Sequence, residues 1–360
     1  MKFDFCIGNP PYQQESEIRS ETNGQAPRKN IFHYFQMEAD KIATDSSVLI
    51  YPGGRWMHQS GKGMQEFGKN LINDPTLSTV EFYPDSKEIF GQAADLADGI
   101  TIVVKKKSKS STGFNYIYSR RGKEQSVHAE NPGENLMPLN PNDLIAVQKI
   151  EDYVSKNNIG YLHDAILPRS LFAIESDFVE KNPDSVSLPD EKTLVDWNKK
   201  IRLLTNDKAG KAGRAKWYIA DRSVITHNKE FIDEWKVIVS SANAGGQKRD
   251  NQIEIADNHS AFGRARVALR SFKTKKEAEN FYKYCNTYLV KYAFLMTDEA
   301  LTSLGKLVPD FKDYSDKGSV LTYDSSLDEQ LFKLFELSEE NISYIKWRVD
   351  NLRKRGNDIE

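Results

Sequence analysis

Cysteine is nearly absent from this 360-residue chain: Cys6 and Cys285 are the whole complement. Two thiols so far apart supply neither a disulfide framework nor zinc-ligand spacing, and they fit a reducing cytoplasm. No apolar run is long enough to span a membrane, and no charged flank and apolar run mark a signal peptide at the amino end. Internal repeats and long low-complexity tracts are also missing. The six histidines, His33, His58, His128, His163, His227 and His259, show no ligand spacing and no His/Ser/Asp pattern. Each reads as structural or exposed, and no metal is expected. Excess positive charge is lacking too: the formal net charge is −2. A nucleic-acid binder of this composition needs local basic faces rather than an overall positive charge. What remains is ordinary for a soluble globular protein, with 39% hydrophobic and 28% charged residues, long enough for two or three domains.

The most informative stretch is at the amino end. Residues 3–7, Phe-Asp-Phe-Cys-Ile, read as a short buried strand bounded by Gly8 and Pro10. Two prolines cannot continue a central strand, because each lacks a backbone donor and fixes φ. Asn9 and Tyr12 therefore lie at the carboxyl end of a strand, where open α/β sheets bind ligands. Asn9-Pro10-Pro11-Tyr12 in that position resembles the catalytic motif of DNA adenine amino-methyltransferases, as found in type II restriction-modification systems. The bland alternative is a proline-rich turn. A given tetrapeptide arises by chance in roughly one chain in five hundred of this length at average residue usage, so the motif reading is preferred.

The resemblance implies S-adenosylmethionine as methyl donor and catalytic roles for Asn9, Pro10, Pro11 and Tyr12. The chemistry suits these residue types. Adenine's amine is a poor nucleophile because its lone pair is delocalised into the ring. The Asn9 side-chain oxygen and the Pro10 carbonyl are acceptors that favour the positively charged nitrogen of the transition state. Tyr12 offers a flat face on which a base extruded from the duplex can stack.

Residues 13–29 read as a mobile polar loop. Asn30 is expected to cap a helix to about residue 43, with Ile31, Phe32, Phe35, Ala39 and Ile42 on one face. Strands are expected at 47–51, 79–82 and 99–104, a helix at 62–72, and Lys105-Lys106-Lys107 as a solvated strand end. Strand, helix, strand, helix, strand and a returning strand form the second half of a doubly wound sheet. In order, these segments resemble the later motifs of the same methyltransferase family.

The family's cofactor half, which precedes the motif in most members, has no counterpart. Gly61-Lys62-Gly63 and Ala244-Gly245-Gly246 are the two glycine turns available, and neither shows a dinucleotide-type fingerprint. The expectation is a catalytic-motif half plus recognition domain of a larger or split enzyme. Such a chain is inactive alone and needs an amino-terminal cofactor segment or separate subunit. The strand at 3–7 is then expected at the edge of its sheet.

The fold expected is α/β: a partial doubly wound methyltransferase sheet (1–113), an α+β target-recognition domain (114–310) and a helical tail (311–360). Helices are placed at 142–157, after a capping box at Thr274 and Glu277, and at 326–337 and 338–353. The helix after Thr274 carries Ala278, Phe281, Cys285, Leu289 and Tyr292 on one face, with Cys285 a core residue. The stretch 235–239 reads as an alternating strand. Basic runs at 199–216, 247–249 and 263–276, against an acidic tail, suggest segregated charge on a face for double-stranded DNA. The candidate contacts are Arg214, Lys216, Asn243, Gln247, Lys248, Arg249, Arg264 and Arg266. Two rival functions are a non-catalytic DNA-binding specificity module and a restriction nuclease component. The second rests on Pro183-Asp184 followed by Asp190-Glu191-Lys192, too close together to occupy two core strands.

Overall fold

The computed structural model describes residues 2–15, 28–54, 56–57, 64–93, 96, 98–133, 137–190, 194–247, 250–297 and 301–351. The fold is mixed α/β, in two compact units, Met1–Ile145 and Ala146–Glu360.

The first unit is built on six strands: β1 (Phe3–Gly8), β4 (Ala43–Pro52), β5 (Leu77–Tyr83), β6 (Ile100–Lys106), β7 (Phe114–Arg120) and β8 (Lys123–Ala129). Between β1 and β4 come a short hairpin, β2 (Gln13–Glu15) with β3 (Arg28–Asn30), and helix α1 (Phe32–Ile42). Helices α2 (Gln65–Ile72) and α3 (Lys87–Phe90) complete the unit. The sheet order is β1-β4-β6-β5-β7-β8. β1 runs parallel to β4, and β6 returns antiparallel between β4 and β5. Tyr51, Trp56 and Phe32 are buried in the core of this unit. The Trp56 indole donates to Thr101 Oγ1 at 2.9 Å, which satisfies its one polar atom. Gly99 permits the turn into β6: its φ is +73°, and a Cβ there would lie 2.0 Å from the Tyr83 carbonyl.

Several expectations need correction here. β1 is a strand, but not a buried one: Phe3, Phe5 and Ile7 are 49%, 63% and 77% exposed. Period-2 apolar residues normally mark a covered face, yet β1 is the edge strand and pairs with β4 alone. The edge position is the one expected. Asn30 does not cap α1; it sits in β3 opposite Gln13, and the helix begins at Phe32. Phe35 is exposed, and Gln36 takes the inward position instead. Residues 13–15 and 28–30 form the hairpin rather than a loop, and 16–27 lie outside the described residues.

Lys105 is not solvated. Its side chain is 7% exposed, with Nζ 2.7 Å from Asp40 and 2.6 Å from Asp74. Asp40 also accepts from Gln36 at 2.7 Å, and Gln36 accepts from the Tyr51 hydroxyl. The boundary expected at 113 falls inside the sheet, since β7 pairs in parallel with β5.

In the second unit a four-stranded sheet, order β10-β12-β11-β15, lies in one core and a three-stranded sheet, β14-β13-β16, borders it. These strands are β10 (Val186–Ser187), β11 (Lys200–Asn206), β12 (Ala215–Asp221), β13 (Trp235–Ser240), β14 (Glu254–Ala256), β15 (Ser260–Phe262) and β16 (Arg266–Phe272). Helices α4 (Pro141–Lys156), α6 (Lys275–Cys285), α7 (Tyr288–Leu295), α8 (Leu327–Leu334) and α9 (Glu339–Asp350) supply most of a second core. α4 begins in the first unit. Two short elements, β9 (Gly160–Tyr161) and α5 (Phe178–Lys181), and a strand β17 (Pro309–Asp310) paired with β9, fill the remainder.

β13 was expected to alternate between buried and exposed. It is buried on both faces: Val237 and Val239 join the helical core, while Ile238 joins the core around β11. A strand between two cores reads as a continuous apolar run. Lys236 shares that burial at 0% exposure, its Nζ donating to the carbonyls of Phe231, Ile232 and Glu234. Thr274 caps α6, accepting from the Glu277 amide at 3.3 Å. Thr287 caps a separate α7, so the expected single face is shared by two helices, both buried. Cys285 is a core residue whose thiol burial pushes well above its ordinary pKa. The segment after residue 310 is no detached tail: Phe311, Leu331, Ile345 and Val349 belong to the same core as α6 and α7.

Candidate functional site

β1 delivers the chain to Asn9 and the two prolines then break the ladder. Pro10 is buried, Asn9 and Pro11 are exposed, and Tyr12 is half-buried against the core of the first unit. The Tyr12 hydroxyl donates to Asn9 Oδ1 at 2.8 Å. Burial raises the Tyr12 pKa, which keeps that hydroxyl protonated. The Tyr12 carbonyl accepts from the Ile31 amide at 3.0 Å, and Gln13 Nε2 donates to Asn30 Oδ1 at 3.2 Å. The turn is thereby strapped to the start of α1. An amide oxygen has two lone pairs, so Asn9 Oδ1 keeps one acceptor position while Tyr12 holds it.

A cluster of rings lies at the start of α1: the His33 and Tyr34 ring centroids are 4.0 Å apart with the planes tilted by 39°, and those of Phe32 and Phe67 are 5.8 Å apart. Burial and the Lys29 ammonium lower the His33 pKa. Among the described residues no group of three or more His, Cys, Asp or Glu could hold a metal. Pro183–Ser185 is a 3-10 turn rather than a strand, which removes the first half of the nuclease signature. Glu191 and Lys192 lie outside the described residues.

The expected DNA contacts in the second unit divide into four groups. Arg214, Arg264 and Arg266 converge, from well-separated positions in sequence, on one cleft of about 590 Å³. Arg169 and Lys211 line the same cleft and were not singled out in the sequence. Arg169 lies outside the basic runs and Lys211 within the one at 199–216, so only tertiary placement marks them as cleft residues. Lys216 is absent from the cleft lining and pairs with Asp207 at 2.7 Å. That pairing, with the Arg214 amide, holds Asp207 at about 2.

Asn243 and Gln247 are 5% and 3% exposed, so in this conformation they shape the loop from inside. Gln247 Nε2 donates to the Phe294 and Thr297 carbonyls at 3.1 and 2.9 Å, tying the loop to the end of α7. Lys248 and Arg249 lie outside the described residues.

The acid-free run at 263–276 is not acid-free in space. Arg264 meets Glu175, Arg266 meets Glu254, Arg270 meets Asp310 and Lys276 meets Asp316. Segregation of charge along the chain is therefore largely undone by folding.

Residues 1–90 match the family model of the Eco57I restriction-modification methylases. An uncharacterized adenine-specific methylase of Mycoplasma pneumoniae is 26% identical over 150 residues, 41% of this chain and 34% of the relative. The chain thus spans about a third of the length of that curated relative. Among solved structures, the type IIG restriction endonuclease BpuSI is 9% identical, with a TM-score of 0.35 over 98% of this chain and 53% of the other. The type IIL restriction-modification enzyme MmeI, solved with DNA, is 8% identical, with a TM-score of 0.34 over 97% and 57%.

Proposed function

We propose that this chain carries the catalytic turn of a DNA adenine methyltransferase of a restriction-modification system. The observation that carries the reading is the Asn9-Pro10-Pro11-Tyr12 turn. It lies at the carboxyl end of β1, inside the segment that matches the methylase family, with Asn9 exposed and oriented by Tyr12. That poised side chain favours an enzyme over a specificity module that has lost catalysis.

S-adenosylmethionine supplies an electrophilic methyl group. This chain's residues act on the nucleophile. A flipped adenine stacks on Tyr12 and places its amine between Asn9 Oδ1 and the Pro10 carbonyl. As the nitrogen gains the methyl group and becomes tetrahedral and positive, both acceptors strengthen their hold on its hydrogens; the donor's sulfur would leave as a neutral thioether, and the surplus proton would pass to solvent. The turn is strapped to α1 beforehand, so little reorganisation is needed when charge develops.

Of the two glycine turns, the one among the described residues does not fit the co-substrate. Ala244-Gly245-Gly246 leads toward β14 rather than a helix, and Gly245 is packed against the Gln247 side chain. Gly61, Lys62 and Gly63 lie outside the described residues. A cofactor-binding segment docked against β1 meets the requirement. The free edge and the exposed Phe3, Phe5 and Ile7 support that position. The second unit then serves as the recognition domain for duplex DNA.

The test incubates the chain, alone and with a cofactor-binding segment supplied in trans, with labelled S-adenosylmethionine and duplex DNA. Nucleosides are then identified by mass spectrometry. N6-methyladenine that disappears with Asn9→Ala is the expected result. Label on cytosine, label that survives Asn9→Ala, or no transfer in either arm overturns the reading.

A further inference from the structure

The cations of the second unit exist in two chemical situations. Arg202, Lys216, Arg264, Arg266, Arg270 and Lys273 each reach a carboxylate. Their charge is cancelled within the fold, and their heads are held in place. Arg169, Lys211 and Arg214 differ. Among the described residues none of the three side chains has an acidic partner, although the Arg214 backbone amide donates to Asp207. The Arg214 guanidinium is fixed instead by neutral acceptors, the Lys211 and Gly213 carbonyls at 3.1 and 2.9 Å. Its position is set while its charge stays whole.

All three line the same cleft, which no carboxylate among the described residues lines. Arg264 and Arg266 add two further positive heads to the lining, pinned by Glu175 and Glu254. Ser176, Asn206, Ser240, Ser241 and Gln252 supply neutral donors between them. Bringing several like charges to one concave surface raises the energy of the empty protein through self-repulsion and focuses the field in the cleft. A polyanion relieves that cost. The cleft, about 590 Å³, is far larger than a single inorganic phosphate requires.

We propose that this cleft seats the phosphodiester backbone of the duplex, with Arg169, Lys211 and Arg214 as the contacting cations. The inference rests on the reading that the chain acts on DNA, and it assigns the cleft to positioning rather than to base readout. Arg264 and Arg266 shape the wall, and their carboxylate partners set their orientation. Phosphate contacts fix register on the duplex but carry no sequence information of their own. Binding through this cleft is therefore independent of sequence and strongly dependent on salt.

The experiment is fluorescence anisotropy with the full chain and a labelled duplex of random sequence, titrated between 50 and 200 mM salt. The triple variant Arg169→Gln/Lys211→Gln/Arg214→Gln should flatten the slope of log affinity against log salt by about 2.7, at ~0.9 per cation removed. Lys199→Gln/Lys275→Gln/Lys276→Gln removes equal charge from exposed, paired positions and should flatten it less. If the triple variant fails to fold by circular dichroism, Arg169→Gln alone should flatten the slope by about 0.9.

A slope unchanged in the variant, or changed equally in the control, overturns the assignment. So does a wild-type chain that binds tripolyphosphate but not the duplex, which makes the cleft a small-polyanion site. A wild-type chain that binds neither also overturns it. Methylation that depends on Asn9 is read separately: the catalytic reading survives failure of the cleft, and an unchanged slope in Asn9→Ala separates the two.

Discussion

Tyr12 holds Asn9: its hydroxyl donates to Asn9 Oδ1 at 2.8 Å across the Pro-Pro turn. The hydroxyl therefore has a task apart from the stacking face of the ring. In the assembled enzyme, Tyr12→Phe should reduce single-turnover methyl transfer about fivefold, the worth of one neutral hydrogen bond of ~1 kcal/mol. DNA affinity should stay unchanged. Tyr12→Ala should also weaken engagement of the flipped base by about 1–3 kcal/mol, read with 2-aminopurine at the target position. Equal rates for wild type and Tyr12→Phe would show that the hydrogen bond does not orient Asn9.

Lys105 joins α1, β6 and the turn before β5 through Asp40 and Asp74. Burial alone would raise the Asp74 pKa. The Lys105 ammonium and the hydroxyl and amide of Thr76 outweigh it and hold the carboxyl below its ordinary value. A carboxyl lowered by folding stabilises above its unfolded pKa, and that stability drains away as pH falls through the folded value. Stability should thus decline below about pH 4, the ordinary carboxylate range. Lys105→Met should cost about 3 kcal/mol at pH 7, the low end for a broken buried pair, because both carboxylates keep partial exposure. It should also flatten the acid limb. Urea denaturation at pH 7 and pH 3.5 checks both. A variant as stable as wild type at pH 7 would remove Lys105 from the account.

The exposed face of β1 makes a separate prediction. Phe3→Ser/Phe5→Ser/Ile7→Ser should leave the thermal midpoint of the isolated chain nearly unchanged, since exposed substitutions cost within about 0.5 kcal/mol. The variant should self-associate less, because an apolar edge invites strand pairing between copies. Light scattering against concentration measures this. A large drop in melting temperature would mean the side chains are covered in solution.

Gln247 was a candidate base reader and is instead clamped to the Phe294 and Thr297 carbonyls. Gln247→Ala should lower stability by about 1–3 kcal/mol, the cost of leaving the buried Thr297 carbonyl without this donor, while the Phe294 carbonyl keeps the Thr297 hydroxyl. Discrimination between DNA sites should not change beyond what loosening the loop produces. Wild-type stability combined with altered site preference would restore Gln247 to the interface.

The turn after β1 was legible because proline chemistry is local: two adjacent prolines end a strand whatever surrounds them. The last helix was legible through the three/four spacing of Ile342, Ile345 and Val349, and the structure adds side-chain caps at Ser326 and Ser338. The state of each charge was not. Arg264 finds Glu175 and Lys105 finds Asp40 across long separations in sequence, so a count along the chain cannot tell a cancelled cation from a free one. Burial of β13 was missed because a lysine in a strand suggests a wet face. Lys236 instead spends its donors on backbone carbonyls. The exposure of Phe3, Phe5 and Ile7 was hidden by their spacing, which marks a shared face but not what lies against it.

The placement of β6 has a consequence for synthesis. β4 and β5 do not pair with each other; β6 lies between them and is made after both. On a ribosome, β4 can pair only with β1, and β5 must wait without a partner, until Ile100–Lys106 has emerged, with loops already to be closed at an entropic cost. The match to the methylase family ends at residue 90, before that strand. A fragment stopped there contains β1, β4 and β5 without the strand that binds the last two together. It is expected to lack the cooperative melting of the longer chain when followed by circular dichroism, and sharp two-state melting of such a fragment would contradict this. The segment that matches the family model is therefore shorter than the segment this sheet needs to close.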